Sequence, residues 1–424
     1  MLYANIFLDY FLLITLCFLS IYLIIPEILL HFLGIGSWKR QYSPGVSVTF
    51  DDGPDPNYTP LLLEILSQQH IQACFFLVGE KAQKYPDIVK KIHNEGHFIG
   101  SHGYFHQHAW LMSPQKTWKN WDKSIKVIQN IIGIEPDYIR PPWGSVNLSL
   151  YSWCIANKKK IVGWNAEGKD WRKNRSASKI IDTILQQTSE GTIILLHDSG
   201  GEQGAPANTL SCLEELFIKI REVQKLPIVA LKFPNWSIQR RIGFRIWEKW
   251  EHFYARINKI KRIDDKNLFR LSLSRYRGPD LFNDKGDLLV TKGDKIGEIH
   301  FDNIRFQLMG SSLPSVGIRS LKQVRLSLPT LARHIDIHPD FKNVKAYIGI
   351  TMLNKGAKGL GFNVQDYPYQ DGFLIASFQK ILMRIYHPAG NKRKTARLGN
   401  KPKLVWISRE KLIEKYKSKE ETIS

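Results

Sequence analysis

Thr49-Phe50-Asp51-Asp52-Gly53-Pro54 ends the apolar run that begins at Val46 with two adjacent carboxylates and a chain-turning Gly-Pro. Consecutive side chains on an extended strand point in different directions, so one carboxylate can hold a cation while the other acts on water beside it. Read alone, the hexapeptide also fits a turn cap.

On either side of it, short apolar runs alternate with helical stretches from Pro44 to about Leu231. A helix is expected near Thr59 to Gln69, and strands at Ala73–Val78, Phe98–Gly100, Ile161–Trp164, Thr192–Leu196 and Pro227–Leu231. This alternation predicts a mainly parallel, barrel-like α/β sheet, with reactive residues at the C-terminal ends of strands. Polar residues do cluster there. His102-Gly103-Tyr104-Phe105-His106 places two imidazoles at i, i+4, which on a helical turn would both reach one cation; a purely structural pair is the other reading. His108 falls out of that phase and reads as a surface residue. Arg140-Pro141-Pro142-Trp143-Gly144 offers a permanent cation and a stiffened turn, while Asp170-Trp171 and Leu195-Leu196-His197-Asp198 add a carboxylate and an imidazole.

In this order, the five pieces resemble the polysaccharide deacetylase family, also called NodB-homology or carbohydrate esterase family four. The resemblance covers about residues 44–235. It implies a distorted (β/α) barrel holding a divalent metal, usually zinc, that removes acetyl groups from N-acetylated sugars. Carried over, it makes Asp51 the catalytic base and Asp52, His102 and His106 the metal ligands. Arg140 would orient Asp51, His197 would be the general acid and Asp170 would hold His197. The Trp143 backbone N–H would face the oxyanion, with Leu195 and the Trp143 and Trp171 side chains walling the acetyl and sugar site. Gly103 departs from the Ser or Thr common after the first metal histidine, and Glu167 stands for the acidic residue upstream in the fourth motif.

The N-terminal stretch Tyr10–Pro26 carries no charge, and its apolar character resumes from Ile28 to Leu33. That is long enough for one transmembrane helix. No basic residue precedes it and no small-residue cleavage site follows, which fits an uncleaved anchor better than a signal peptide; a buried or interfacial helix is the other reading. Lys39 and Arg40 follow the span and by the positive-inside rule argue for a cytoplasmic catalytic domain, whereas the family resemblance argues for an extracytoplasmic one.

Charge divides the chain. Residues 1–239 hold 23 basic and 21 acidic side chains, and residues 240–424 hold 37 and 18. Between the halves, Ile242, Ile246, Trp250, Phe253, Ile257 and Ile260 recur at helical spacing among Arg and Lys, reading as a membrane-surface helix or a connecting helix packed on its neighbour. Residues 266–412 resemble the YkoP-like domain through Tyr276-Arg277-Gly278, the run Gly293–Asn303, Gly349-Ile350-Thr351 and Trp406–Arg409; His300, Asn303 and Arg409 form either a polar site or a hydrogen-bonded core network. The tail from Lys411 is expected to fray. So basic a region calls for anionic lipid or wall polymer; with no nucleic-acid motif, nucleic acid is not expected. Four widely spaced cysteines, Cys17, Cys74, Cys154 and Cys212, exclude a zinc knuckle and a dense disulfide framework.

The resulting expectation is a membrane anchor (1–38), a deacetylase barrel (39–236), a basic connecting helix (237–265) and a separate basic α/β domain (266–424). The expected function is metal-dependent deacetylation of N-acetylated envelope polysaccharide or a lipid-linked saccharide. Two alternatives are a catalytically idle glycan-binding scaffold and a deformylase or deacetylase of a lipid-linked aminosugar.

Overall fold

The computed structural model describes residues 2–32, 34–234, 236, 238–264, 267–303, 305, 316–351, 356–367 and 402–417. It divides into two compact units, Met1–Arg245 and Ile246–Ser424, with the division inside the helix Ile238–Ile257. The expected boundary residues 237, 265 and 266 lie outside the described residues, as does Leu33.

In the first unit eight parallel strands form one sheet in the order β1-β6-β5-β4-β3-β2-β8-β7. They are β1 (Ser37–Trp38), β2 (Ser47–Asp51), β3 (Cys74–Leu77), β4 (Phe98–Ser101), β5 (Tyr138–Ile139), β6 (Lys160–Val162), β7 (Ala166–Glu167) and β8 (Ile193–His197). This is the expected parallel barrel-type sheet; among the described residues no ladder joins β1 to β7. The run Pro227–Leu231 contributes only a bridge, Val46 with Ile228.

Strand alternation divides labour between the two faces. Val48 and Phe50, Phe75 and Leu77, and Ile194 and Leu196 pack into a core with Leu62, Leu63 and Leu66 of helix Thr59–Gln68, Ile180 and Ile184 of Ala177–Gln187, and Leu213 and Phe217 of Ala205–Ile218. The intervening residues Ser47, Thr49 and Asp51, with Phe76, Leu195 and His197, take the other face. Both faces being covered explains why the strands read as nearly continuous apolar runs.

Residues Asp9–His31 form a helix long and apolar enough to cross a membrane, with mean hydropathy 2.4. Its regular part, Leu2–Leu19, continues through wider π-type turns at Ser20–Ile24 and Ile28–Phe32. Lys39 Nζ donates to the His31 carbonyl at 3.1 Å and the Arg40 guanidinium to the Glu190 carbonyl at 2.5 Å, so both basic residues after the span have structural work in the folded unit.

The second unit centres on a six-stranded mixed sheet in the order β15-β16-β14-β13-β10-β9, in which only β13 and β14 run parallel. These strands are β9 (Lys261–Arg262), β10 (Phe269–Arg275), β13 (Lys295–Phe301), β14 (Ala346–Thr351), β15 (Asn363–Asp366) and β16 (Lys403–Ser408), with a β11–β12 hairpin at Leu281–Phe282 and Leu288–Val290. Leu328, Leu331 and Ile335 of helix Val316–Ile337 pack on Phe269, Leu271, Tyr347 and Ile407. The expectation of a fraying tail fails over Arg409–Tyr416, a helix that buries Leu412 and Tyr416 in the same core. His300 bonds to Ser272 while Arg409 meets Asp336, so these two groups belong to separate networks.

Leu63 is fully buried in the first core. Leu63→Ala is expected to destabilise the first unit by about 2–5 kcal/mol, the usual cost of a leucine-sized cavity. Chemical denaturation of the detergent-solubilised chain checks this: the midpoint should fall with the slope unchanged.

Candidate active site

Five strand ends build one cleft. Asp51 is the last residue of β2, His102 follows β4, Arg140 follows β5, Asp170 lies just beyond β7, and His197 ends β8 directly beside Asp51 in register. Asp52 takes φ 72°, a left-handed conformation that Asp tolerates better than most residues. This turns the chain so that both carboxylates approach one imidazole: His102 Nε2 is 3.3 Å from Asp52 Oδ1 and 3.9 Å from Asp51 Oδ2. The two side chains therefore converge, where extended geometry alone would splay them. Gly53 and Gly200 make room. A Cβ at Gly53 would stand 2.5 Å from Asp198 Oδ2, and one at Gly200 2.4 Å from Asp52 Oδ2.

His106 Nε2 lies 3.0 Å from the same Asp52 Oδ1. The two histidines do not share a helical turn, as the i, i+4 spacing suggested: residues 102–108 form an irregular loop, broken at Gly103 with φ 82°. Asn120, from helix Pro114–Ile132, shapes this loop by accepting from the Phe105 N–H at 2.9 Å, and its amide leaves no space for a Cβ at residue 103. Gly103 is therefore a requirement of this loop rather than a lost hydroxyl, and Ser101 Oγ accepts the Gly103 N–H at 3.2 Å.

The donor set fits a cation. His102 Nδ1 is 2.6 Å from the Arg140 carbonyl, which can only accept, so in the neutral ring the proton is on Nδ1 and Nε2 presents a lone pair. That lone pair faces Asp52 Oδ1, a buried oxygen with no hydrogen-bond partner among the described residues. Burial pushes the Asp52 carboxyl up; with protons on the imidazole nitrogens, hydrogen bonds from His102 and His106 and the positive charge around it outweigh this and hold the carboxyl well below the ordinary range, a role a cation bound between them would take over. One anionic oxygen and two imidazole nitrogens thus lie within 4.8 Å of one another, an open three-ligand set of the kind divalent metals take in hydrolytic sites.

Arg140, fully buried, donates through Nη1 to Asp51 Oδ1 and Thr49 Oγ1, both at 2.7 Å, and through Nε and Nη2 to the Val162 and Gly163 carbonyls. Its guanidinium lies over the Phe76 ring at 4.1 Å. Opposite, His197 Nδ1 donates to Asp170 Oδ1 at 3.0 Å, and Asp170 Oδ2 accepts from the His197 backbone N–H and from Thr209 Oγ1. Burial pushes the His197 imidazole down, but the Asp170 carboxylate, helped by Asp52 and Asp51, overrides this and raises it to about 9, so it is an acid at neutral pH.

Trp143 takes φ 54°, is 61% exposed, and sets its ring 4.3 Å from His106. Trp171 packs edge-on to His197 at 5.6 Å, while Leu195 is buried two residues before it on the inner face. His108, half-buried, lies 5.7 Å from Trp143. Glu167 accepts from Trp164 Nε1 at 2.8 Å, away from the ligand cluster. Sequence reasoning passed over Lys81, whose Nζ donates to the Asp52 carbonyl at 2.8 Å and Ser199 Oγ at 2.7 Å, and also Asn120 and Thr209. Nothing in their local sequence marks them, since each acts across elements distant in the chain.

A three-ligand cation site with a carboxylate on one side and an imidazolium on the other is the equipment of a hydrolase. Comparison with known proteins agrees. Residues 39–159 match the family described as polysaccharide deacetylase, and residues 240–416 match the YkoP domain. A peptidoglycan-N-acetylglucosamine deacetylase of Bacillus cereus is 38% identical over 174 residues, covering 39% of this chain and 63% of that protein. A second one from the same organism is 31% identical over 179 residues, covering 42% of this chain and 82% of that protein. A chitooligosaccharide deacetylase of Azorhizobium caulinodans is 31% identical over 217 residues, covering 50% and 97%. The chain belongs to the polysaccharide deacetylase family.

Because His197 must be protonated to act as an acid, kcat/KM on an amide substrate is expected to fall as pH rises through about 9. Asp170→Asn removes the main charge that raises it, so the alkaline limb should move to lower pH. A profile whose alkaline limb ignores Asp170→Asn would remove His197 from the acid role.

Proposed function

We propose that this chain is a metal-dependent N-deacetylase of cell-wall glycan, with zinc as the metal and peptidoglycan aminosugar as the substrate. The observation that carries the reading is the unpartnered, buried Asp52 Oδ1 facing two imidazole nitrogens. A divalent cation held by Asp52, His102 and His106 would supply Lewis acidity toward the acetamide carbonyl and the attacking water. Asp51 is the base: Arg140 fixes Oδ1 and leaves Oδ2 toward the cleft, where it takes the proton of water as the C–O bond forms. His197 gives its Nε2 proton to the amine as the C–N bond breaks, and Asp170 stabilises the imidazolium until then. The Trp143 backbone N–H is assigned to the oxyanion, and the Trp143 and Trp171 rings with Leu195 to the sugar and the acetyl methyl, a reading the exposed Trp143 ring beside His106 and Trp171 beside His197 support. Similarity to two peptidoglycan-N-acetylglucosamine deacetylases supports that substrate, and a wall substrate places the catalytic unit outside the cytoplasmic membrane, anchored by the N-terminal helix.

Acetate release from peptidoglycan and chitin oligomers, followed with metal content, tests the assignment. Asp51→Ala is expected to lose about 10²–10⁴-fold in kcat, typical of a missing general base, while keeping its zinc. His102→Ala should lose both zinc and activity. Intact protein that binds zinc yet releases no acetate from either glycan would favour a binding role over catalysis.

The second unit is assigned to holding the enzyme at an anionic surface. Helix Ile238–Ile257 exposes Ile246, Trp250, Phe253 and Ile257, with Phe253 at 62%, and residues 240–424 carry the basic excess. The full chain in detergent is therefore expected to bind vesicles or wall preparations rich in phosphate groups at low salt and to release at high salt. Retention that salt does not change would sink this role.

A further inference from the structure

The anchor helix does not stop at a flexible tether. Tyr22, Pro26 and Leu30, spaced by four, are buried, and Leu30 enters the cluster of Trp121, Val146, Leu150 and Trp153 beside the cleft. Polar contacts fasten the same stretch. Tyr22 Oη donates to the Met112 carbonyl at 3.1 Å, and Glu27 Oε1 accepts from Trp110 Nε1 at 3.0 Å and from the Val146 N–H at 2.8 Å. His31 Nε2 lies 2.9 Å from Glu27 Oε2 and 3.1 Å from the Gly144 carbonyl. Gly144 adjoins Trp143, whose ring covers His106, so two residues separate the anchor from the ligand cluster.

The other face of this stretch is bare and apolar: Ile21, Ile24, Ile25 and Ile28 are all exposed. The apolar helix Asp9–His31 is about 35 Å long at ~1.5 Å per residue, enough for bilayer hydrocarbon, and its last part, from Tyr22, is the part docked on the catalytic unit. These docked turns carry an isoleucine face still uncovered. Next to them Trp110 is held by Glu27 and is followed by Leu111, 71% exposed. A large aliphatic side chain this exposed, at the end of a membrane span, is stable when lipid covers it.

We propose that the isoleucine face of residues 21–28 and the Trp110-Leu111 loop form one lipid-contacting rim, with Glu27 as the positioning residue that latches the anchor to the loop carrying Trp143. The occupant is the bilayer itself, the surface into which the same helix runs without a break. This rests on the anchor assignment above and sharpens it: the ligand cluster, two residues from the docked anchor, would work on glycan close to the membrane surface.

The test uses the full chain with Cys17→Ser; the other cysteines, Cys74, Cys154 and Cys212, are buried. A bimane label at Leu111→Cys is compared with one at Asp182→Cys on helix Ala177–Gln187, in phosphatidylcholine vesicles with brominated acyl chains. The label at 111 is expected to be quenched several-fold more than that at 182. Glu27→Ala should lose most of the difference, and Glu27→Gln, which keeps an acceptor oxygen, should retain it. If Glu27→Ala does not fold, Trp110→Phe removes the indole N–H while keeping an aromatic ring and should weaken quenching in the same direction. Equal quenching at the two sites, or quenching at 111 that neither change alters, overturns the proposal. Flotation of the same samples reports anchoring separately: a chain that fails to float defeats the anchor assignment and this rim with it, while the deacetylase chemistry stands on acetate release alone.

Discussion

A buried guanidinium is the constraint on which the site depends. Arg140 has no exposed surface, and a charge there is tolerable only when paired and fully hydrogen-bonded. Its partners come from β2 through Thr49 and Asp51 and from the end of β6 through Val162 and Gly163, while its own amide and carbonyl reach Ser101 and His102 beside β4. One residue thus ties the ends of β2, β4, β5 and β6 together. It holds the Asp51 carboxylate, and through its carbonyl fixes which nitrogen of His102 keeps the proton. A substitution at Arg140 would strike the base and the cation site together, and such effects are not additive.

The same economy appears across the cleft. Asp170 has two oxygens with separate duties: Oδ1 meets the imidazole, and Oδ2 accepts a backbone N–H and a threonine hydroxyl. The backbone bond to residue 197 itself makes the carboxylate and imidazole move as one body. The acid is thereby held in place by the strand end that carries it, a rigid element rather than a loop.

Much of this was legible before any coordinates because parallel strands deliver their chemistry at their ends. Asp51, His102 and His197 each sit at or just after an apolar run, whereas Arg140 follows only the two-residue strand Tyr138–Ile139. The geometry between strands was not legible. The spacing of His102 and His106 mimics a helical turn, yet Gly103 and the distant Asn120 make it a loop. Lys81 and Thr209 look like ordinary surface or helix residues until the sheet brings them to the backbone or carboxylate they hold. Composition alone reads the N-terminal run as apolar; that one edge of it is a docking face depends on Tyr22, Pro26 and Leu30, whose partners lie about a hundred residues away.

Glu27 shows how that last point reverses a sequence argument. An acid inside an apolar stretch reads as an interruption of the span, and removing a carboxylate from water is costly unless donors meet it. Here two N–H groups and an imidazole do so, all from or beside the rim of the cleft. The interruption marks where the apolar helix docks on one side against the catalytic unit. Lys39 and Arg40 likewise each donate to a carbonyl of the same unit, so both have a use in the folded domain besides their charge.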